Sequence, residues 1–167
     1  MAARSDYLSF RDRYRPETIK LVLVAESPPA SGRYFYNPEG ARTEALFSAL
    51  MREIDVSPAT KDEGLRAFQA RGWLLVDATY EPVNKYDDKQ KNEVISRDYE
   101  LLREDLRRLS PDRTVSIVLL KANVCRFLEP RLTADGFKVL NNGRVVYFPS
   151  NGRQGQFREQ FGAILRG

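Results

Sequence analysis

Four apolar runs in this 167-residue chain each end on residues able to do chemistry. Leu21-Val22-Leu23-Val24-Ala25 stops at Glu26-Ser27, and Trp73-Leu74-Leu75-Val76 stops at Asp77 with Thr79 close behind. Val115 to Leu120 stops at Lys121 with Asn123, and Val145-Val146-Tyr147-Phe148 passes through Pro149 into Ser150-Asn151. An unbroken aliphatic run fits a strand covered on both faces, because alternation is needed only where one face meets water. If the four run parallel, their polar ends line one edge of a sheet, the edge at which open α/β sheets bind ligands. The chain has no histidine, so imidazole chemistry is excluded. Cys125 is the only cysteine, which rules out an intrachain disulfide and argues against a zinc or iron–sulfur site, so no metal and no cofactor is expected. Each of Glu26, Asp77 and Lys121 taken singly has a plain structural alternative, capping a helix or pairing with one another. Their recurrence at four strand ends favours a site.

The elements that must position these residues follow from periodicity and punctuation. A helix from Ser5 to about Tyr14, with Ser5 as N-cap, precedes a strand over Ile19–Ala25. A long loop, Glu26 to Glu39, carries Pro28, Pro29, Gly32 and Pro38, and loops of this length inside compact domains are commonly functional. A helix over Ala41–Ile54 comes next, then one opened by the capping-box spacing of Thr60 and Glu63 and closed by Gly72. After the Trp73–Asp77 strand, the lysine-rich stretch Tyr86–Asn92 reads as exposed, and a single long helix spans roughly Glu93 to Leu109. A strand over Val115–Leu120, a helix over Asn123–Ala134 disturbed by Pro130, a short extended piece at Phe137–Leu140 and an Asn142-Gly143 turn follow. Val145–Phe148 reads as the fourth buried strand, ahead of a terminal helix with Phe157, Phe161 and Ile164 inward. Strands alternating with helices predict one domain over residues 1–167, a three-layer α/β/α fold with a central, mostly parallel four-stranded sheet.

Lysine and arginine number 27 against 23 acidic residues, a net charge of +4. That balance leans mildly toward a polyanionic partner such as nucleic acid, and equally fits a solvated surface of mixed sign. No apolar stretch approaches the roughly 20 residues needed to span a bilayer, and Met1–Asp6 lacks the apolar core of a signal peptide. No membrane partner and a soluble, cytoplasmic location are expected; the oligomeric state is not legible.

Ala25-Glu26-Ser27-Pro28-Pro29 with Tyr34-Phe35-Tyr36 beyond it resembles the first motif of the uracil-DNA glycosylase superfamily, a Gly-Glu-Ala-Pro-Gly type segment after the first strand followed by a base-stacking aromatic. Later motifs fall in the same order. A second strand ends at Asp77 where the family carries a base-reading Asn, with Pro82-Val83-Asn84-Lys85 after it. Phe148-Pro149-Ser150 stands where the family has His-Pro-Ser, and Asn151-Gly152-Arg153-Gln154 stands at the loop that enters the DNA minor groove. The likeness runs from about Ile19 to the C-terminus and rests on motif order more than on identical residues. Two departures bear on chemistry. Phe148 cannot donate the hydrogen bond that the motif histidine gives the departing base, and an ionised Asp77 offers only acceptors where an Asn offers both kinds.

What the resemblance implies is a divergent DNA glycosylase acting on a deaminated or damaged base by carboxylate-assisted N-glycosidic cleavage. Glu26 would be the catalytic group, supporting an oxocarbenium-like sugar or orienting water. Ser27, one of Tyr34, Phe35 and Tyr36, and Asp77, Thr79, Lys121 and Asn123 would surround the base. Arg33, Lys85, Ser150, Asn151, Gly152 and Arg153 would meet DNA, with Lys89 and Lys91 extending a basic track. Lys121, Asn123 and Ser150 are all open as donors to the leaving base, and spacing does not choose among them. The alternative is a non-catalytic module of the same fold that binds nucleic acid or a nucleobase. A domain binding a phosphorylated small molecule is weaker, because neither Gly-x-Gly-x-x-Gly nor a Walker A pattern is present.

Overall fold

The computed structural model describes residues 2–167. Along the chain run α1 (Arg4–Asp12), β1 (Leu21–Ala25), α2 (Ala45–Glu53), α3 (Lys61–Ala70), β2 (Trp73–Asp77), α4 (Asp88–Arg97), α5 (Tyr99–Leu109), β3 (Ser116–Leu119), α6 (Ala122–Ala134), β4 (Lys138–Val139) and α7 (Gln154–Arg166). The four strands form one all-parallel sheet in the order β2-β1-β3-β4. Every residue of β1 and β2 is buried, as expected of parallel strands covered on both faces. The chain goes first to one side of β1 and then to the other. The order therefore reverses between β1 and β3, the kind of switch point where open α/β sheets leave a crevice at their strand ends.

Helices cover both faces of this α/β/α sandwich. α2 meets α7, α3 lies on β2, and α6 rests on β3 and β4 while also touching α4. Thr60 caps α3 by accepting the N–H of Glu63 at 3.1 Å. At α1 the N-cap is Ala3 rather than Ser5, with the Asp6 carboxylate accepting the Ala3 N–H at 2.9 Å. Pro130 sits inside α6 without ending it.

Two expectations are corrected. The long helix is two helices, α4 and α5, broken at Asp98 (φ −93°, ψ 4°). The Asp98 carboxylate accepts the Thr79 hydroxyl at 2.6 Å and is gripped by Arg97, so the junction is tied to the end of β2. Val145–Phe148 is not the fourth strand; β4 is Lys138–Val139. The reason lies in Asn141, which is fully buried and fills the edge of β3. Its side chain accepts the Leu119 N–H at 2.8 Å and donates to the Leu119 carbonyl at 3.1 Å, so the ladder positions a further strand needs are occupied. The Tyr147 N–H turns instead to the Gln160 side chain at 2.8 Å. Only Val146 still reaches the sheet, accepting the Lys121 N–H at 2.8 Å.

The loop between β1 and α2 is anchored at several points. The Lys61 ammonium, buried on α3, donates to the Tyr34 carbonyl at 2.9 Å and to Glu44 at 2.7 Å. Asn84 accepts the Ala30 N–H at 2.9 Å, and Ser27 Oγ accepts the Val83 N–H at 3.2 Å. These ties hold the two proline-bearing loops side by side over the strand ends.

Candidate functional site

A cavity of about 380 Å³ opens at the carboxyl ends of β1, β2 and β3, with Glu26, Ser27, Arg33, Tyr34, Phe35, Asp77, Asn84, Lys121, Phe148 and Ser150 among its lining residues. This volume falls at the small end of ordinary ligand pockets, with room for a small ring compound. Three strand ends that are far apart in the chain meet here, and Phe148 and Ser150 join them from an irregular segment in place of the expected fourth strand.

Glu26 is the centre of the polar wall. Its carboxylate, 6% exposed, accepts from the Lys121 Nζ at 2.6 Å on Oε1 and from the Asn123 Nδ2 at 2.7 Å on Oε2. Lys91 Nζ lies 3.7 Å from Oε2. A carboxylate has about four lone-pair positions, so these contacts leave capacity for a water or a ligand hydroxyl. The carboxylate faces the first turn of α6, where Asn123 lies and the helix dipole is positive.

Lys121 reaches Glu26 from an unusual backbone. It stands as the N-cap of α6 at φ 81°, ψ 135°, where glycine is at ease and a side chain is strained. Such strain costs about 1–3 kcal/mol and persists only where the surroundings over-determine it. Here the Lys121 N–H is bound to Val146 and its carbonyl accepts the Cys125 N–H at 2.9 Å. Burial lowers the proton affinity of the amine, Glu26 opposes that shift, and Lys91 adds to it, leaving the pKa below the ordinary lysine value. The Nζ also lies 6.0 Å from the centroid of the Phe148 ring.

Asp77 forms a second polar feature. It is 4% exposed, and its Oδ2 has no hydrogen-bond partner among the described residues. Burial pushes this carboxyl up to about 7; Arg11 pulls it down and Glu26 pushes it further up. Near neutral pH a large share of Asp77 is therefore the uncharged acid, which carries a donor beside an acceptor as an amide does. The Tyr34 hydroxyl, buried and likewise without a partner, has its pKa raised first by burial and then by the nearby Asp77 charge. Arg11 is not free to neutralise Asp77, because it is bound two-pronged to Asp105 at 2.7 and 2.9 Å.

Of the residues expected around a base, Glu26, Ser27, Tyr34, Phe35, Asp77 and Lys121 line the cavity, and Asn123 touches it through Glu26. Two expectations change. Tyr36 is fully buried, and its hydroxyl accepts the Leu75 N–H at 2.8 Å, satisfying a donor that edge strand β2 turns outward, so its ring is not available for stacking. Thr79 is buried toward Asp98 and lines a second cavity of about 270 Å³ beyond Asp77. Of the residues expected to meet DNA, Arg33 and Ser150 line the cavity. Lys85, Asn151, Gly152 and Arg153 are exposed outside it, on the loops continuing from Asn84 and Ser150, with Arg153 lying 4.4 Å over the Tyr147 ring.

Lys91, expected to extend an exposed basic track, is instead buried against Glu26. Its signal was available: α4 begins at Asp88, with Asp87 as N-cap, and Lys91 lies one turn before buried Ile95 on the same face. Among the described residues no group of histidine, cysteine or acidic side chains is arranged to hold a metal ion, and no helix is long and apolar enough to cross a membrane. No protein-family model matches the chain, and no curated protein or solved structure matches it either.

Proposed function

We propose that the cavity receives a nucleobase carrying a carbonyl next to an N–H and that the chain cleaves the bond joining that base to deoxyribose in DNA, as a divergent relative of the uracil-DNA glycosylases. One observation carries this reading. Glu26 and Lys121, from opposite sides of the sheet's switch point, form an anion and cation pair in the wall of a base-sized cavity whose floor holds the unpartnered Asp77 carboxyl. Uncharged Asp77 offers a donor and an acceptor together, the pattern that complements the lactam edge of a deaminated base. Phe35 or Tyr34 supplies the apolar face on which a flipped base rests, a contact worth about 1–3 kcal/mol.

The groups divide the work of cleavage. As the base departs, negative charge develops on the base and positive charge on the sugar. Glu26 supports the sugar or orients a water toward it. Lys121 takes the part of the absent histidine, its ammonium donating to the leaving base from beside Phe148, with donation strengthened by the partly desolvated setting. Arg33 and Ser150 at the mouth, with the exposed basic loop at Arg153, suit the phosphates flanking an extruded nucleotide.

The second reading, a nucleobase-binding module without chemistry, draws support from the fact that both Glu26 oxygens already carry donors. One experiment separates them. Duplex and single-stranded oligonucleotides containing uracil, hypoxanthine, xanthine or a mismatch are incubated with the chain and scored for alkali-labile sites, with Glu26→Gln in parallel. Excision is expected for at least one lactam base and falls by about 10²–10³ in Glu26→Gln, the range for removing one preorganised charge stabiliser. Excision unaffected by that substitution removes Glu26 from the chemistry. Binding without excision favours the module, and no oligonucleotide binding at low salt refutes base excision from DNA and any nucleic-acid-binding form of the module.

A further inference from the structure

Among the described residues Lys121 is the one lysine lining the cavity, and it does not hold Glu26 alone. Lys91, from α4, points a second ammonium at the same carboxylate, so one buried anion faces two cations at 2.6 and 3.7 Å, while Asn123 adds only a neutral donor. Poorly solvated clusters favour balanced charge. Loss of one proton from Lys121 leaves Lys91 and Glu26 as a matched pair and a neutral amine in the cavity wall. Desolvation and an adjacent cation are the two conditions that turn a lysine into a nucleophile toward carbonyl carbon. The side chain is also delivered from a strained backbone, φ 81° and ψ 135°, fixed by hydrogen bonds on both sides.

We infer that Lys121 is an amine nucleophile that forms an imine with an aldehyde in this cavity, the substrate being the open-chain C1′ aldehyde of an abasic deoxyribose in DNA. The choice of substrate rests on the proposed base excision; the amine chemistry rests on the arrangement of Lys121, Glu26 and Lys91. The two steps connect, because donation of a proton to the departing base leaves Lys121 neutral at the moment the sugar is exposed. Nζ adds to C1′, forming the N–C bond as the C=O π pair moves onto oxygen, and Glu26 Oε1, at 2.6 Å, carries one Nζ proton to that oxygen to make the hydroxyl. Glu26 then carries the second Nζ proton to the hydroxyl, which leaves as water while the nitrogen lone pair forms C=N. Amine and aldehyde give imine and water, with no oxidant or reductant required.

The test traps the imine by hydride reduction. The chain is incubated with sodium cyanoborohydride and either a duplex carrying one abasic site or 2-deoxyribose 5-phosphate, and the adduct is located by peptide mass spectrometry. At least tenfold more adduct is expected on Lys121 than on exposed Lys85 or Lys89. Lys121→Arg, which keeps a cation against Glu26, abolishes it, and Lys91→Gln moves the pH midpoint of trapping upward, a shift that a merely structural lysine does not produce. Equal labelling of the exposed lysines, or undiminished trapping by Lys121→Arg, overturns the inference. Trapping of the free sugar but not the abasic duplex upholds the amine and overturns DNA as its carrier. Trapping of neither overturns the inference while leaving base excision to the oligonucleotide panel.

Discussion

Replacing Asp77 by Asn should make the protein more stable above neutral pH, by an amount that the burial of this carboxyl sets. The side chain is 4% exposed and its Oδ2 is unpartnered, so ionising it in the folded state is costly. Its pKa moves from an ordinary 3.8 to about 7, because burial outweighs the opposing pull of Arg11. Between those values the unfolded chain is ionised while the folded protein retains the proton. Stability from this group is therefore fully present below about pH 4, declines as pH rises, and levels off above about 7. Three units at 1.36 kcal/mol each make the full loss about 4 kcal/mol. Asn keeps the shape, does not titrate, and presents the same donor and acceptor pair. Denaturant unfolding of both variants at pH 5, 6, 7 and 8 should show the advantage of Asp77→Asn growing by about 1.4 kcal/mol per unit up to 7 and then flattening. At pH 8 the melting temperatures should differ on the order of 10 °C. Carboxylates held low by partners, such as Asp98 and Asp135, cancel because both variants contain them. A gap that does not vary with pH, or an Asn variant that is less stable throughout, would show that Asp77 is ionised and paired in the folded state, and the lactam-edge argument would fail with it.

Two further substitutions probe the scaffold that carries the site. Asp105→Asn strands the buried Arg11 guanidinium, now held at 2.7 and 2.9 Å, and should cost about 3–5 kcal/mol by chemical denaturation; a loss under 1 kcal/mol would mean that Arg11 finds another partner. Gly64→Ala in α3 places a Cβ 2.5 Å from Phe47 Cζ and 2.9 Å from Met51 Sδ. The crowding, about 1–3 kcal/mol, should outweigh the roughly 1 kcal/mol that alanine gains in a helix. A lowered melting temperature and weaker oligonucleotide binding are expected, since Phe47 also lines the cavity, and a more stable variant would refute the close fit of α2 to α3.

Much of the arrangement was readable along the chain because it depends on local pattern. Unbroken aliphatic runs that stop at Glu26, Asp77 and Lys121 required strands buried on both faces, and parallel strands bring like ends together, so the edge of the sheet was predictable before any coordinate. The Thr60 cap and the Trp73–Asp77 strand followed for the same reason. What a strand end points toward is a different matter, set by contacts far away in sequence. Nothing in the order of residues says that Asn141 fills the edge of β3 and so denies Val145–Phe148 a ladder, or that Tyr36 spends its hydroxyl on the outer N–H of β2. Charge states belong to the same class. Asp77 is an ordinary acid in the sequence and one that keeps its proton up to about pH 7 in the fold, because burial is decided by what packs over it. The inward turn of Lys91 is marked in the pattern by its place one turn before Ile95, but that it shares Glu26 with Lys121 is decided only by the fold. The sequence by itself determined which side chains reach the strand ends; the tertiary structure decided which of them lose water, and with water their ordinary protonation.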